Sequence, residues 1–161
     1  MSSTSIRPAT LDDLKTLLDL MVAFNAIEQI RWQRSRGEAA VRALISDETI
    51  GLVELIEEDG RIVGYFILTW GFDLEWYGRD AVLTELFLAE DVRGRGLGTF
   101  ALREAERLAA ARGARALHLL VREENRRARR LYASSGFVAP GRIFLTKSLS
   151  RNDARLPVTS D

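Results

Sequence analysis

One stretch constrains the rest of the chain: Ala81 to Arg112, AVLTELFLAEDVRGRGLGTFALREAERLAAAR. Val82 to Leu88 is β-branched, aromatic and aliphatic, which predicts a strand. Arg93-Gly94-Arg95-Gly96-Leu97-Gly98 then predicts a tight turn. The helix after it carries Leu97, Ala101, Leu102, Ala105, Leu108 and Ala109 on one face, with Arg103, Glu104, Glu106 and Arg107 on the other. Without a Cβ, a glycine backbone can approach an anion closely. The first amides of a helix point out of its N-terminus unpaired and carry partial positive charge. Arg93 and Arg95 add full charges. Strand, turn and helix together predict a phosphate cradle.

The spacing limits what that cradle holds. The triphosphate loop needs G-x-x-x-x-G-K-[ST], which the chain lacks. The dinucleotide fingerprint needs G-x-G-x-x-G, but here the glycines fall at 94, 96 and 98. The motif present is R-x-x-G-x-G, made by Arg93, Gly96 and Gly98. Taken alone, it reads equally as an arginine-flanked tight turn.

The flanking chain bears on the choice. A length of 161 residues suits one domain with a single substantial core, here residues 1–149, followed by a loose polar tail over 150–161. The net charge is zero, so no global field recruits nucleic acid or an anionic membrane. The basic run from Arg122 to Arg130 reads as the outer face of a short helix. With no cysteine there is no disulfide, thiolate nucleophile or thiolate metal site. One histidine, His118 in the apolar run ALHLLV, reads as a packed residue, and no metal site is expected. The first residues do not form a signal peptide and no apolar run approaches ~20 residues. A cytoplasmic protein is the default expectation.

Along the chain, residues 3–8 suggest a first strand, and Thr10 with Asp13 a helix cap. Leu11, Leu14, Leu17, Leu18, Met21 and Val22 line one face of the helix that follows. Trp32 reads as a tryptophan folded over the core edge or as one wall of a substrate entrance. A second helix is expected over 38–46. Gly51 to Glu57 and Arg61 to Trp70 read as strands joined at Asp59-Gly60, a strong hairpin signal. Phe72 to Asp80 reads as an acidic, aromatic loop. Its acids Asp73, Glu75 and Asp80 are candidates for holding a cationic amine, or are solvated loop acids. Ala116 to Val121 is expected parallel to Ala81–Leu88 through a right-handed crossover. Asn125 caps a helix closed by Gly136, and final strands are expected over 137–139 and 143–149.

A second cluster, Asn125-x-x-Ala128-x-x-Leu131-Tyr132 followed by Gly136-Phe137, stands beside the first. Together with R-x-x-G-x-G it resembles the GNAT-type N-acetyltransferases over nearly the whole chain. The run GYFILTWGFDLEWYGRDAVLTELFL looks most like the diamine and polyamine acetyltransferase branch and its uncharacterised bacterial relatives. The resemblance implies an α/β (α+β) fold: a mixed, mostly antiparallel sheet splayed between two parallel strands and flanked by about four helices. It implies acetyl-CoA as co-substrate and often a homodimer. It implies pantetheine contacts at Leu86, Phe87, Leu88 and Asn125, and pyrophosphate contacts along Arg93, Gly94, Arg95, Gly96, Leu97, Gly98 and Thr99. Arg129 is the candidate for the CoA phosphate.

Acetyl transfer to an amine has three needs. An alkyl ammonium with a pKa of ~10.4 must lose a proton. The tetrahedral intermediate needs a donor. The leaving thiolate needs a proton or a hydrogen bond. Glu85 lies within an apolar strand, where alternation puts it with Leu83 and Phe87 opposite Val82, Thr84, Leu86 and Leu88. It is the candidate base, directly or through water, or else a glutamate on the outer face of the sheet. Tyr132 reads by itself as a core aromatic; the resemblance makes its hydroxyl the candidate acid. The expected activity is acetylation of a small, cationic primary amine by direct attack in a ternary complex. The alternative is an acyl-CoA-binding sensor of the same fold without turnover.

Overall fold

A computed structural model describes residues 3–149; the tail expected over 150–161 lies outside them. Five strands form one sheet in chain order: β1 (Thr4–Pro8), β2 (Gly51–Glu58), β3 (Arg61–Asp73), β4 (Gly78–Leu88) and β5 (Leu117–Leu119). The first four are antiparallel to their neighbours, and β5 runs parallel to β4. Helices α1 (Leu14–Ile27) and α2 (Arg34–Ser46) cover one face. Helix α3 (Leu97–Ala111) covers the other, with α4 (Arg126–Ser134) beside it. This is the mixed α/β architecture that the resemblance implies.

Local chemistry accounts for the elements. Thr10 N donates to Asp13 Oδ2 at 2.8 Å, closing a short 3-10 turn ahead of α1. Arg7 of β1 donates to both Asp13 oxygens, at 2.7 and 2.8 Å, and so fixes that turn to the sheet. Helix α2 starts at Arg34, earlier than its apolar pattern suggests, and Arg34 there pairs with Asp19 of α1 at 2.8 Å. Asp59 and Gly60 have φ of 51° and 77°, as a two-residue hairpin of primed type requires. Leu17, Leu55 and Tyr65 are fully buried on the α1–α2 side; Ile56, Phe66, Leu68 and Leu102 are fully buried on the α3 side.

Three expectations need correction. The segment 72–80 is not a loop, since β3 runs to Asp73 and β4 begins at Gly78. The Asp73 side chain accepts the Glu75 amide at 2.8 Å and caps a one-turn 3-10 link, which lets the strands extend further. Residues 137–149 form no strand. The neighbouring β5 is only three residues long, too short an edge to order them, and Ile143, Phe144 and Leu145 are all more than 70% exposed. Finally, strict alternation fails in β4. Ile67 faces Glu85 while Leu68 faces Leu83, so Thr84 is an extra residue in a bulge. Leu83 therefore packs on the α3 side with Leu86 and Leu88, while Phe87 packs on the α1–α2 side.

One buried acid has a consequence for stability. Glu54 of β2 is 4% exposed. Burial, and then the negative charges of Glu104 and Glu48, push its carboxyl up to about 7. Its unfolded value is ~4.3. Below that value both states hold the proton. Between it and about 7, unfolding releases a proton, so stability falls as pH rises. The loss totals on the order of 3 kcal/mol. Glu54→Gln should flatten the decline in denaturant midpoint between pH 5 and 8, and an unchanged slope would assign the decline to other groups.

Candidate active site

The site opens where the sheet splits. β4 stays paired with β3 as far as Gly64 opposite Leu88. β5 pairs with β4 only from Ala81–Leu117 to Leu83–Leu119. Beyond Leu83 the outer edge of β4 has no strand neighbour among the described residues. The chain leaves β5, turns at 122–125, where Asn125 N donates to Arg122 O at 3.0 Å, and enters α4. The wedge between is a cleft of about 570 Å³. Its walls are Leu86, Phe87 and Leu88 of β4, Phe24, Ile27 and Glu28 at the end of α1, the turn before α3, and Asn125, Ala128, Leu131 and Tyr132 at α4.

The glycine turn forms one end of the cleft. Gly94 and Gly96 have φ of 82° and 88°, a region other residues avoid. Gly96 is the N-cap of α3, and Phe100 N donates to Gly96 O at 3.0 Å. The amides of Leu97, Gly98 and Thr99 precede that bond and have no acceptor within the helix. A Cβ on Gly98 would stand 3.2 Å from Leu131 Cδ2 and 3.8 Å from Leu88 Cδ1, so glycine there lets α3, α4 and β4 converge. Arg93 bends back: its Nε donates to Leu88 O at 2.8 Å and its guanidinium lies 5.6 Å from the Phe87 ring centre.

Other residues named from the sequence fall elsewhere. Arg95 leaves the cleft and pairs with Glu58 of β2 at 2.8 Å. The Leu97 side chain is in the core, which leaves only its amide at the turn. Arg129 donates to Glu123 O at 3.2 Å and is not a wall of the cleft. Arg127 and Arg122 are walls instead. A Cβ on Gly94 would lie 3.5 Å from Arg127 Nη2, and Arg122 Nη1 donates to Glu28 O at 3.0 Å. Arg127 lies four residues before Leu131, on the same helical face, and that spacing could have picked it out of the basic run. Trp32 lies over Gly37 against the α1–α2 core, away from the cleft. Asp73 and Glu75 are at the hairpin tip, where Glu75 pairs with Arg142 at 2.8 Å.

The two candidate catalytic groups lie in different settings. Tyr132 reaches the cleft, its ring edge-on to Phe137 at 5.8 Å. Burial, and then the charge of Glu28, holds its phenol above the usual range. Asn125 Oδ1 accepts Ala128 N at 3.1 Å and so caps the helix that carries the tyrosine. Glu85 is not a wall of the cleft. The bulge turns it to the α1–α2 side, where the Tyr65 hydroxyl donates to Oε2 at 2.6 Å. Tyr65 is fully buried, with Phe24 and Phe87 at 6.5 and 6.0 Å between it and the cleft. Burial raises the Glu85 pKa, and the Tyr65 bond partly opposes that.

A mixed sheet that splits after its fourth strand, with a glycine turn and a helix N-terminus in the gap, defines the acetyltransferase class of α/β domain. Residues 17–137 match the Acetyltransferase (GNAT) family, and the chain belongs to that family. An uncharacterized N-acetyltransferase of Mycobacterium tuberculosis is 38% identical over 96 residues, 59% of this chain and 58% of its own length. The match thus spans under two thirds of that relative. The thialysine N-epsilon-acetyltransferase of Bos taurus is 27% identical over 145 residues, covering 84% of this chain and 85% of its own. Among solved structures, an integron cassette protein from the Cole Harbour salt marsh metagenome superposes with a TM-score of 0.80 at 29% identity, covering 90% of each chain.

Proposed function

We propose that the protein is an acetyl-CoA-dependent N-acetyltransferase acting on a primary amine of a small cationic substrate. The observation that carries this reading is the convergence of the glycine turn, the open edge of β4 and Tyr132 on one cleft. The pyrophosphate is held by the α3 amides and Arg127, and the pantetheine arm lies along Leu86–Leu88 and Asn125. The amine nitrogen attacks the acetyl carbon, the C–S bond breaks, and the thiolate leaves toward the Tyr132 hydroxyl. A phenol kept neutral by burial supplies that hydrogen bond. The proton lost from the ammonium passes to water in the cleft and reaches Glu85 only when the Phe24 and Phe87 rings move aside. Glu28 of α1, a wall of the cleft, favours a positively charged amine in place of the hairpin acids, whereas Glu124 is paired with Arg122 at 3.5 Å. The bovine relative, named for N-epsilon acetylation of thialysine, supports an aliphatic amine as the class.

A panel of polyamines, amino acids, aminoglycosides and peptides, read by thiol release from acetyl-CoA, tests the reading. Turnover with small aliphatic amines is expected; binding of CoA with no turnover on any amine would make the domain a sensor. Glu85→Gln should reduce kcat by roughly 10²-fold and abolish the acid limb of its pH profile, because the raised carboxyl must ionise before it can accept a proton. Tyr65→Phe, which keeps the carboxylate, should shift that limb upward. Identical profiles in all three proteins would remove Glu85 from the mechanism. Homodimerisation follows from the family resemblance and is measurable by light scattering. Among the described residues no helix is long and apolar enough to cross a membrane.

A further inference from the structure

The opposite end of the sheet carries a separate cluster. Asp73 ends β3, Asp80 lies near the start of β4, and His118 is the middle residue of β5. Gly71 pairs with Asp80 and Val82 with His118, so alternation sets all three side chains on one face. One ligand atom from each lies within 4.8 Å of the others. Asp80 is 9% exposed, and its carboxylate packs on the Cα of Gly71, where any side chain would collide with it. Its Oδ1 is buried with no hydrogen-bond partner, and so is His118 Nε2. His118 Nε2 is 3.3 Å from Asp80 Oδ2. The Asp73 carboxylate is held by the Glu75 amide through Oδ1, which leaves Oδ2 for a ligand.

Buried polar atoms without partners are rare, and two in one cluster point to a missing ligand. A lone histidine in the sequence gives no metal pattern, because the other two donors come from different strands. We propose that Asp73, Asp80 and His118 bind a divalent transition ion of the zinc class. Two donors at about 2.0–2.2 Å from a tetrahedral ion stand roughly 3.4 Å apart. The His118–Asp80 pair already has that spacing at 3.3 Å. An imidazole donor favours zinc over magnesium or calcium, which prefer all-oxygen shells. Water fills the fourth position. Asp80 is six residues from Leu86, roughly 20 Å along the strand, so the ion does not touch the acetyl-transfer cleft. It clamps the β3–β4 hairpin to β5, whose sheet pairing is three residues long and forms the base of the wedge.

The test uses the full-length, tag-free, metal-stripped protein. Zinc titration by calorimetry should show one site per chain, and zinc should raise the melting temperature with concentration. Cobalt(II) should give the absorption bands of a four-coordinate ion. His118→Gln and Asp80→Asn should each weaken zinc binding roughly tenfold or more. The His118 side chain is 40% exposed, so its variant is the one expected to fold without difficulty. Absence of saturable binding at one equivalent would overturn the proposal, as would an affinity that neither variant changes. A melting temperature that zinc leaves unchanged, with no metal uptake, would overturn it too.

Discussion

Replacing Tyr132 by phenylalanine is expected to lower kcat by about 10²-fold or more, the usual range for removing a positioned proton donor. Tyr132 lines the cleft, and its ring packs edge-on against Phe137 at 5.8 Å. Phenylalanine therefore keeps the packing and removes one oxygen. Because the loss falls on the leaving thiolate, CoA affinity should stay within about twofold while turnover collapses, the pattern of an interaction made only in the transition state. An amine whose acetyl acceptor step is already fast should show the largest drop. Calorimetry with CoA beside steady-state thiol release separates the two quantities. Unchanged turnover would mean that water protonates the thiolate and that Tyr132 is a wall only.

Gly96→Val is expected to reduce CoA affinity by about 10–100-fold, corresponding to roughly 1–3 kcal/mol of backbone strain. Gly96 has φ of 88° and ψ of −5° and caps α3. A β-branched residue cannot hold that conformation without cost, so the turn should reorganise and the amides of residues 97–99 should lose their common direction. No neighbouring atom lies within 4 Å of a Cβ built there, so the effect is conformational and not a collision. Asparagine tolerates left-handed backbone, and Gly96→Asn should therefore retain most of the affinity. Equal losses in the two variants would point to a side chain blocking the cleft, and no loss in either would take the turn out of cofactor binding. Circular dichroism and the melting temperature check that both variants remain folded.

Much of this arrangement was legible because it is local. The strand, the glycine turn and the helix are contiguous, and the Asp59-Gly60 hairpin depends on two residues. β5 runs parallel because the crossover through α3 returns the chain to the starting end of β4, and right-handedness sets its side. What escaped the sequence depended on distant partners. Arg95 carries the same charge as Arg93, but only folding shows that Glu58 takes it. Arg127 and Arg129 are two residues apart, and the helix alone decides which reaches the turn. The apolar run after Pro140 has strand composition but meets a neighbour too short to pair with it. Glu85 and Phe87 do share a face, as alternation predicts, but Leu83 does not join them, because a bulge at Thr84 is invisible to a period of two.

That extra residue makes the hairpin a matched pair. β3 and β4 stay in step only if the irregularity between Ile67 and Leu68 meets the insertion at Thr84. A chimera joining this β3 to a β4 without the extra residue would fall out of phase by one position at that point. The carboxylate would then turn beneath α3, far from the Tyr65 phenol, and Leu86 would point where Phe87 now packs. Crossovers inside the hairpin should therefore be tolerated only between chains that both carry the extra residue.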